Sequence, residues 1–367
     1  MLSFVIRSLL LPQGSCRLMN KPVVTLLVVF SVSVAGVFTV TSDNASTTEL
    51  ENGESILELN GNVVVTDDQV TVTSNAATIY QDSERAEFTG NVHVDADTLT
   101  ARGHYISYSR ITGVMVLQGD AVLTDGSSTL TADQVDWFRF RNKATARGSV
   151  VLQGDWLGMV QGEYALYDRD RQSLFVTVDP ALTRIDGADT TVITADRLEF
   201  FEEGERAEAQ GNAVVVMRPG GMESASEYLR YFGEEDRMEL IGSPEITTEE
   251  GTVGGDWMEV LFDTGGALSS LRIEGGATGD LEDQGSTVSF RSQRAEFAFL
   301  PSGEDLDSLV LQGSAVLDVA GEDSLRTEVN TISAEEIVVR FDLGEADEIM
   351  ARGTVRGTYS WSGEFRD

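Results

Sequence analysis

From about residue 55 onward, apolar and polar residues alternate with period two in short stretches broken by polar turns. That period marks half-buried strands, because successive side chains of a strand point to opposite faces of its sheet. One phrase recurs within the pattern: an apolar residue, any residue, Gly, a small or polar residue, then usually Val or Ala. It reads Leu59-Asn-Gly61-Asn-Val63, Phe88-Thr-Gly90-Asn-Val92, Leu117-Gln-Gly119-Asp-Ala121 and Ala146-Arg-Gly148-Ser-Val150. It returns as Ala209-Gln-Gly211-Asn-Ala213, Leu240-Ile-Gly242-Ser-Pro244 and Ile273-Glu-Gly275-Gly-Ala277. The last copies are Leu311-Gln-Gly313-Ser-Ala315 and Ala351-Arg-Gly353-Thr-Val355. A degenerate copy without Gly, Val176-Thr-Val178-Asp-Pro180, fills the remaining gap. Anchored on the Gly position, the ten copies step by 29, 29, 29, 30, 33, 31, 33, 38 and 40 residues. Such regularity is the signature of a repeat architecture.

A second phrase, roughly Ala-Asp-x-Leu-x-Phe, sits between most anchors. Examples are Ala132-Asp133-Gln-Val135-Asp-Trp137, Ala195-Asp196-Arg-Leu198-Glu-Phe200 and Ala334-Glu335-Glu-Ile337-Val-Val339. Looser copies start at Gly103-His104, Ser226-Glu227 and Ser292-Gln293. Polar turns separate the phrases, among them Arg141-Asn142-Lys143, Glu202-Glu203-Gly204-Glu205, Gly233-Glu234-Glu235-Asp236, Asp125-Gly126 and Pro301-Ser302-Gly303. Each repeat is therefore two strands and two turns, and ten repeats predict about twenty strands in a long meander. No long amphipathic helix interrupts them. The chain is predicted to be all-β. The degenerate copy marks a possible seam near 178–190.

The glycines carry a geometric expectation. Leu117, Gly119, Ala121 and Leu123 share parity, so in an unbroken strand they face one side. One reading is a bulge or sharp twist that needs Gly. The other is that Gly61, Gly90, Gly119, Gly148, Gly211, Gly242, Gly275, Gly313 and Gly353 line the inner face and leave a trough along it.

Ahead of the repeats, Lys21 is followed by an uncharged apolar stretch from Val23 to Val40. Its first part fits a signal-peptide core, with Ser33-Val34-Ala35 offering small residues for cleavage. Its full length is also close to the ~20 residues that span a bilayer. Residues 1–42 are read as an N-terminal apolar targeting helix, either a cleaved signal or a single inner-membrane anchor. Arg7, Arg17 and Lys21 precede it, which puts Asp43 onward outside the cytoplasm. Met19 is an alternative start to Met1. Residues 43–54 form a short linker, 55–361 the repeat domain and 362–367 a tail.

Composition changes the picture in one direction. The 367 residues hold 61 Asp+Glu and only 26 Lys+Arg, a formal net charge of −35. That balance argues against nucleic acid, which needs clustered cations, and against adsorption to an anionic membrane surface by charge. Its plainest reading is solubility through self-repulsion. Catalytic chemistry is thin. His93 and His104 are the only histidines, and both sit in strand phrases. Cys16 is the only cysteine, so neither an intrachain disulfide nor a His/Cys zinc site can form. Carboxylate pairs recur at turns, as in Glu202-Glu203 and Glu234-Glu235-Asp236, and read as solvated charge. Gly254-Gly255-Asp256 is a single copy, whereas calcium β-rolls need tandem nonapeptides. No metal, no cofactor and no enzyme activity is expected.

The two phrases together resemble the organic-solvent-tolerance (OstA-like) repeat of the periplasmic lipopolysaccharide-transport proteins LptA, LptC and the N-terminal domain of LptD. The resemblance covers about residues 55–361. It implies an elongated, twisted β-jellyroll of antiparallel strands in the periplasm, whose apolar groove carries lipopolysaccharide or a similar glycolipid by its acyl chains toward the outer membrane. It also implies like jellyroll domains as partners, joined end to end by strand addition. The groove lining expected on that basis is Phe88, Val92, Val94, Ile106, Tyr108, Leu117, Ala121, Leu123, Val135, Trp137, Leu198, Phe200, Ala213 and Val215. About ten repeats exceed what a short member of that family contains. The competing reading is a structural or adhesive β-repeat protein of the cell envelope with a packed interior.

Overall fold

The computed structural model describes residues 39–363, apart from the short connections 67–69, 97–98, 155–157, 187–188, 202–205, 219–220, 250, 265–267, 284–285, 302–305, 324–325 and 343–344. The targeting segment, except for its last residues, and the turn at Glu202-Glu203-Gly204-Glu205 lie outside the described residues. Among the described residues no helix is long and apolar enough to cross a membrane.

The chain is all-β and antiparallel. Its first strands are β1 (Thr39–Thr41), β2 (Asn44–Glu49), β3 (Ser55–Thr66), β4 (Val70–Tyr80), β5 (Arg85–Ala96), β6 (Leu99–Ser109) and β7 (Val114–Thr124). They continue as β8 (Ser128–Phe138), β9 (Lys143–Gly154), β10 (Gly158–Asp168), β11 (Ser173–Thr177), β12 (Ala181–Asp186), β13 (Asp189–Thr194) and β14 (Arg197–Phe201). Next come β15 (Arg206–Arg218), β16 (Met222–Phe232), β17 (Arg237–Ile241), β18 (Glu245–Thr248), β19 (Gly251–Gly254) and β20 (Trp257–Phe262). The last are β21 (Leu268–Asp283), β22 (Ser286–Phe299), β23 (Leu306–Asp323), β24 (Arg326–Asp342), β25 (Glu345–Arg352) and β26 (Arg356–Gly363).

These 26 strands form twenty tracks, six of which are interrupted once: β1/β2, β11/β12, β13/β14, β17/β18, β19/β20 and β25/β26. Five interruptions fall at a Gly anchor or at the residue opposite one, and the sixth, β11/β12, falls at Val178 of the degenerate copy. Two of them follow from proline: Pro180 and Pro244 have no amide to give to a ladder. Tracks alternate strictly between the Gly phrase and the Ala-Asp phrase, so the repeat read from the sequence is the structural repeat.

Two compact units divide the chain. One runs through Leu182 and includes Arg197–Glu203; the other comprises Thr183–Asp196 and Gly204–Asp367. In the first, β3 to β11 pair in sequence order, with β14 added on β11. In the second, β13 pairs with β15, and the meander then continues to β24, which carries both β25 and β26.

The long tracks bend in the middle. In β5 the partners Thr89↔Ala76 and His93↔Thr73 leave one extra residue on the Gly strand, and the same excess appears against β6. This is a β-bulge, and it recurs at Asn60/Val63, Gln118/Ala121, Gln210/Ala213, Glu274/Ala277 and Gln312/Ala315. Both residues of the bulge take left-handed backbone: Gly90 has φ +77° and Asn91 +47°. In the second unit the consequence is visible within one strand. Phe290 and Phe297 of β22 meet edge to face with ring centroids 5.9 Å apart. A straight strand would hold residues seven apart at about 23 Å. The two halves of the track therefore fold toward each other and enclose the core.

The structure turns the glycine row outward. The space a Cβ would take at Gly61, Gly90 and Gly119 is filled by Asp43, Asn75 and His104. Asp133, Asp196, Glu227, Asp256, Gln293 and Glu335 fill it at the remaining six anchors. All nine side chains are exposed. The inner trough expected from a row of glycines is not what the glycines make. Counting parity across them assumes extended backbone, and two left-handed residues break that count. Each glycine instead lets a polar side chain of the preceding track lie over the bulge. At two sites the contact is also a hydrogen bond: Asn62 Nδ2 donates to Asp43 Oδ2 at 3.0 Å and Asn212 Nδ2 to Asp196 Oδ2 at 3.2 Å.

Candidate functional site: the apolar interior

The side chains that face inward form ladders, each built from residues directly opposite one another on successive strands. In the first unit one ladder runs Leu59, Ala77, Phe88, Ile106, Leu117, Val135, Ala146, Ala165, Val176, Leu198. A second, one step further from the bulge, runs Tyr108, Met115, Trp137, Ala144, Tyr167, Leu174, Phe200. A third, beyond the bulge, runs Val72, Val94, Ala101, Leu123, Leu130, Leu152, Val160. Every member of the three is buried. Uninterrupted apolar stripes of this kind arise because each repeat presents the same phase of alternation to the same side.

All fourteen residues expected to line the groove are buried, and twelve of them lie in the first unit. Of these, Val92 and Ala121 sit immediately after their bulges, opposite Gly103 and Ala132. Ala213 and Val215 belong to the second unit, where Val215 faces Ile193 and Ser224.

That unit has its own long ladder, Ala209, Leu229, Leu240, Met258, Ile273, Ala295, Leu311, Ile337, Ala351. These residues were not among the lining expected from the sequence, although the phrases that mark them are the same.

A second feature escaped the sequence reading. The residue before each polar cover residue is small: Ser42, Ser74, Gly103, Ala132, Ala195, Ser226, Gly255, Ser292 and Ala334, and Gly162 holds the equivalent place in β10. It lies on the inside of the bend, where the facing strand leaves no room. A Cβ at Gly103 would come within 2.6 Å of Leu117 Cδ1, and one at Gly162 within 2.6 Å of Val176 Cγ1. The signal was present as the Ala of Ala-Asp.

The outward face carries the charge. Arg197–Glu199 at 2.7 Å, Arg206–Glu208 at 3.2 Å, Arg272–Glu259 at 3.2 Å and Arg294–Glu296 at 2.8 Å repeat one cross-strand or same-strand pairing along it. Buried Asp136 is met by Arg147 at 3.1 Å. His93 is a part-buried outward strand residue opposite Thr73 and Arg102, and His104 is the cover over Gly119. Among the described residues no group of three His, Cys, Asp or Glu side chains is placed to hold a metal.

Residues 35–179 match the family of OstA-like proteins. Among solved structures, it matches LptH of Pseudomonas aeruginosa, the LptA-homologous periplasmic component of the lipopolysaccharide transport device. The match has 16% identity, covers 40% of this chain and 82% of that one, and has a TM-score of 0.20. No curated protein matches the chain.

Proposed function

We propose that this protein is a periplasmic lipid-binding bridge that carries lipopolysaccharide, or a similar glycolipid, by its acyl chains along the apolar interior. The observation that carries the reading is the set of unbroken apolar ladders within an OstA-like span. Acyl chains laid against such ladders gain about 0.8 kcal/mol per buried CH₂. No covalent chemistry is needed, in keeping with a transport role. The edges suit a relay between like domains. Among the described residues β1 and β2 pair only with β3, and β25 and β26 only with β24. Exposed Ile349 and Tyr359 stand on the latter pair. Such strands offer unpaired backbone groups for strand addition.

A packed structural repeat is the second reading, and one observation favours it. Leu117, Val94 and Ala121 are completely covered by the chain's own atoms. Transport then requires the two halves of each track to part. Photo-crosslinking from Val92, Leu123 and Leu198 in cells decides. Adducts with lipopolysaccharide at these inward positions support transport. Absence of adducts at all three, with adducts in a known transporter run alongside, overturns it in favour of the packed repeat.

A further inference from the structure

In the first unit, consecutive turns on one rim are stacked by backbone hydrogen bonds. The Arg110 amide donates to the Glu84 carbonyl at 3.0 Å, the Arg139 amide to Gly113 at 2.9 Å, and the Arg169 amide to Asn142 at 2.9 Å. Asn142 Nδ2 also donates to Asp170 Oδ1 at 2.8 Å. Neighbouring turns on one rim are two strands, about 10 Å, apart.

These turns reverse the charge of the chain. They carry Arg110, then Arg139, Arg141 and Lys143, then Arg169 and Arg171. The turn at 81–84, stacked beneath them, adds Arg85, Asp82 and Glu84, and Asp168 and Asp170 bring the carboxylates to four. Glu84 is held by Arg110, Asp168 by Lys143 at 3.0 Å and more loosely by Arg171 at 3.9 Å, and Asp170 by Asn142. Seven cations against four anions leave a surplus of three positive charges in a protein of net charge −35. Arg139, Arg141 and Arg169 are exposed, and among the described residues none of them pairs with a carboxylate.

Two large apolar side chains stand among the cations at the turn tips. Ile111 is 61% exposed and Phe140 is 68% exposed. The Phe140 ring leans over the neighbouring turn, where a Cβ on Gly113 would come 2.8 Å from the ring. Among the described residues nothing covers either tip beyond this. A lone exposed apolar residue needs no explanation, but an aromatic and an aliphatic tip framed by guanidinium groups is the arrangement of interfacial membrane segments.

We propose that this rim docks on an anionic lipid bilayer, with the arginines on headgroup phosphates and with Phe140 and Ile111 entering the acyl boundary. Guanidinium groups suit phosphate because their planar donors match it two at a time. Acidic surface elsewhere is repelled by the same bilayer, so the chain can approach in one orientation. An acidic protein segment would satisfy the cations but would leave the two apolar tips in water.

The test uses the full chain with Cys16→Ser and Ile111→Cys, the new thiol carrying an environment-sensitive fluorophore. A probe at this turn reports the rim whatever the N-terminal segment does. Vesicles of phosphatidylglycerol mixed with phosphatidylcholine should shift its emission to the blue at about 0.1 M salt, and the shift should fade at about 0.5 M. Vesicles of phosphatidylcholine alone should leave it unchanged. Arg139→Ser with Arg141→Ser should weaken the response roughly thirtyfold, about fivefold per cation. Arg102→Ser, on a strand of the same unit, should leave it nearly intact. Phe140→Ser should weaken it while keeping its salt dependence. No shift on anionic vesicles, or an undiminished shift in the double arginine variant, overturns the proposal. So does an equal shift with polyglutamate, which would assign the rim to an acidic protein. Unaltered hydrogen-exchange protection of β7 to β9 shows that each variant is folded.

Discussion

Replacing Gly119 with alanine separates the two demands that the bulge makes on its glycine. Gly119 has φ +78°, and an L-residue held there costs about 1–2 kcal/mol. The new Cβ would also stand 2.7 Å from His104 Nδ1 and 2.8 Å from His104 Cβ. Crowding of that order costs typically 1–3 kcal/mol more. Gly126 is the control, because it has φ +87° and nothing within 4 Å of an added Cβ. Gly126→Ala should therefore lose about 1–2 kcal/mol and Gly119→Ala about 2–5 kcal/mol. Adding His104→Gly to Gly119→Ala should recover the crowding part and leave the backbone part, a coupling of at least about 1 kcal/mol in a double-mutant cycle. The chain holds two compact units, so a single unfolding midpoint would mix them. Hydrogen exchange of the most protected amides in β6 and β7 reads the first unit alone. Equal losses for Gly119→Ala and Gly126→Ala, or no coupling to His104, would refute the account of the glycine row as a seat for its polar cover.

Three further outcomes follow from the same geometry. Leu117→Ala removes a fully buried rung of the first ladder and should cost about 3–5 kcal/mol by the exchange measurement, whether or not lipid is present. Val178 holds the bulge of the degenerate repeat at φ +63° while 55% exposed, so Val178→Gly should stabilise β11 by about 1 kcal/mol. Burial works against ionisation of Asp168, but the Lys143 ammonium and the amides of Arg171 and Asp170 outweigh it and hold the carboxyl below its ordinary value. A carboxyl lowered in the folded state stabilises above its unfolded pKa of about 3.9, and that contribution is lost as pH falls through the folded value. Asp168→Asn should accordingly lower thermal stability at pH 7, with the difference from the parent shrinking steadily below about pH 4.

The repeat was legible because its cause is local. Alternation at period two, turn residues and a fixed Gly step need only neighbouring residues, and they led to about twenty strands; the first of the twenty tracks, β1/β2, lies where a targeting segment and a linker were expected. The inward residues were legible for the same reason: Phe88, Ile106, Leu117 and Val135 share one phase of that alternation, and they meet as consecutive rungs. The direction of the glycines was not legible. It depends on two successive left-handed residues, Gly119 and Asp120 for example, whose backbone angles change the parity of everything after them. The small residue before each cover residue was on the page as Ala132, Gly103 or Ser74. Its reason lies on another strand, where Leu117 Cδ1 occupies the space above Gly103.

By itself, then, the sequence determined the fold class, the number of tracks and the apolar side of each, since those follow from periodicity along the chain. It also determined that the chain is strongly acidic as a whole. Only the tertiary structure decided what lies across from what. It seated an exposed polar side chain over each of the nine anchor glycines and brought the two halves of β22 together at Phe290 and Phe297. It brought together cationic turns that are nearly thirty residues apart in the chain. The physical reason is the same in each case: period-two alternation is written residue by residue, whereas register and bending are set by pairing between strands that the chain does not list side by side.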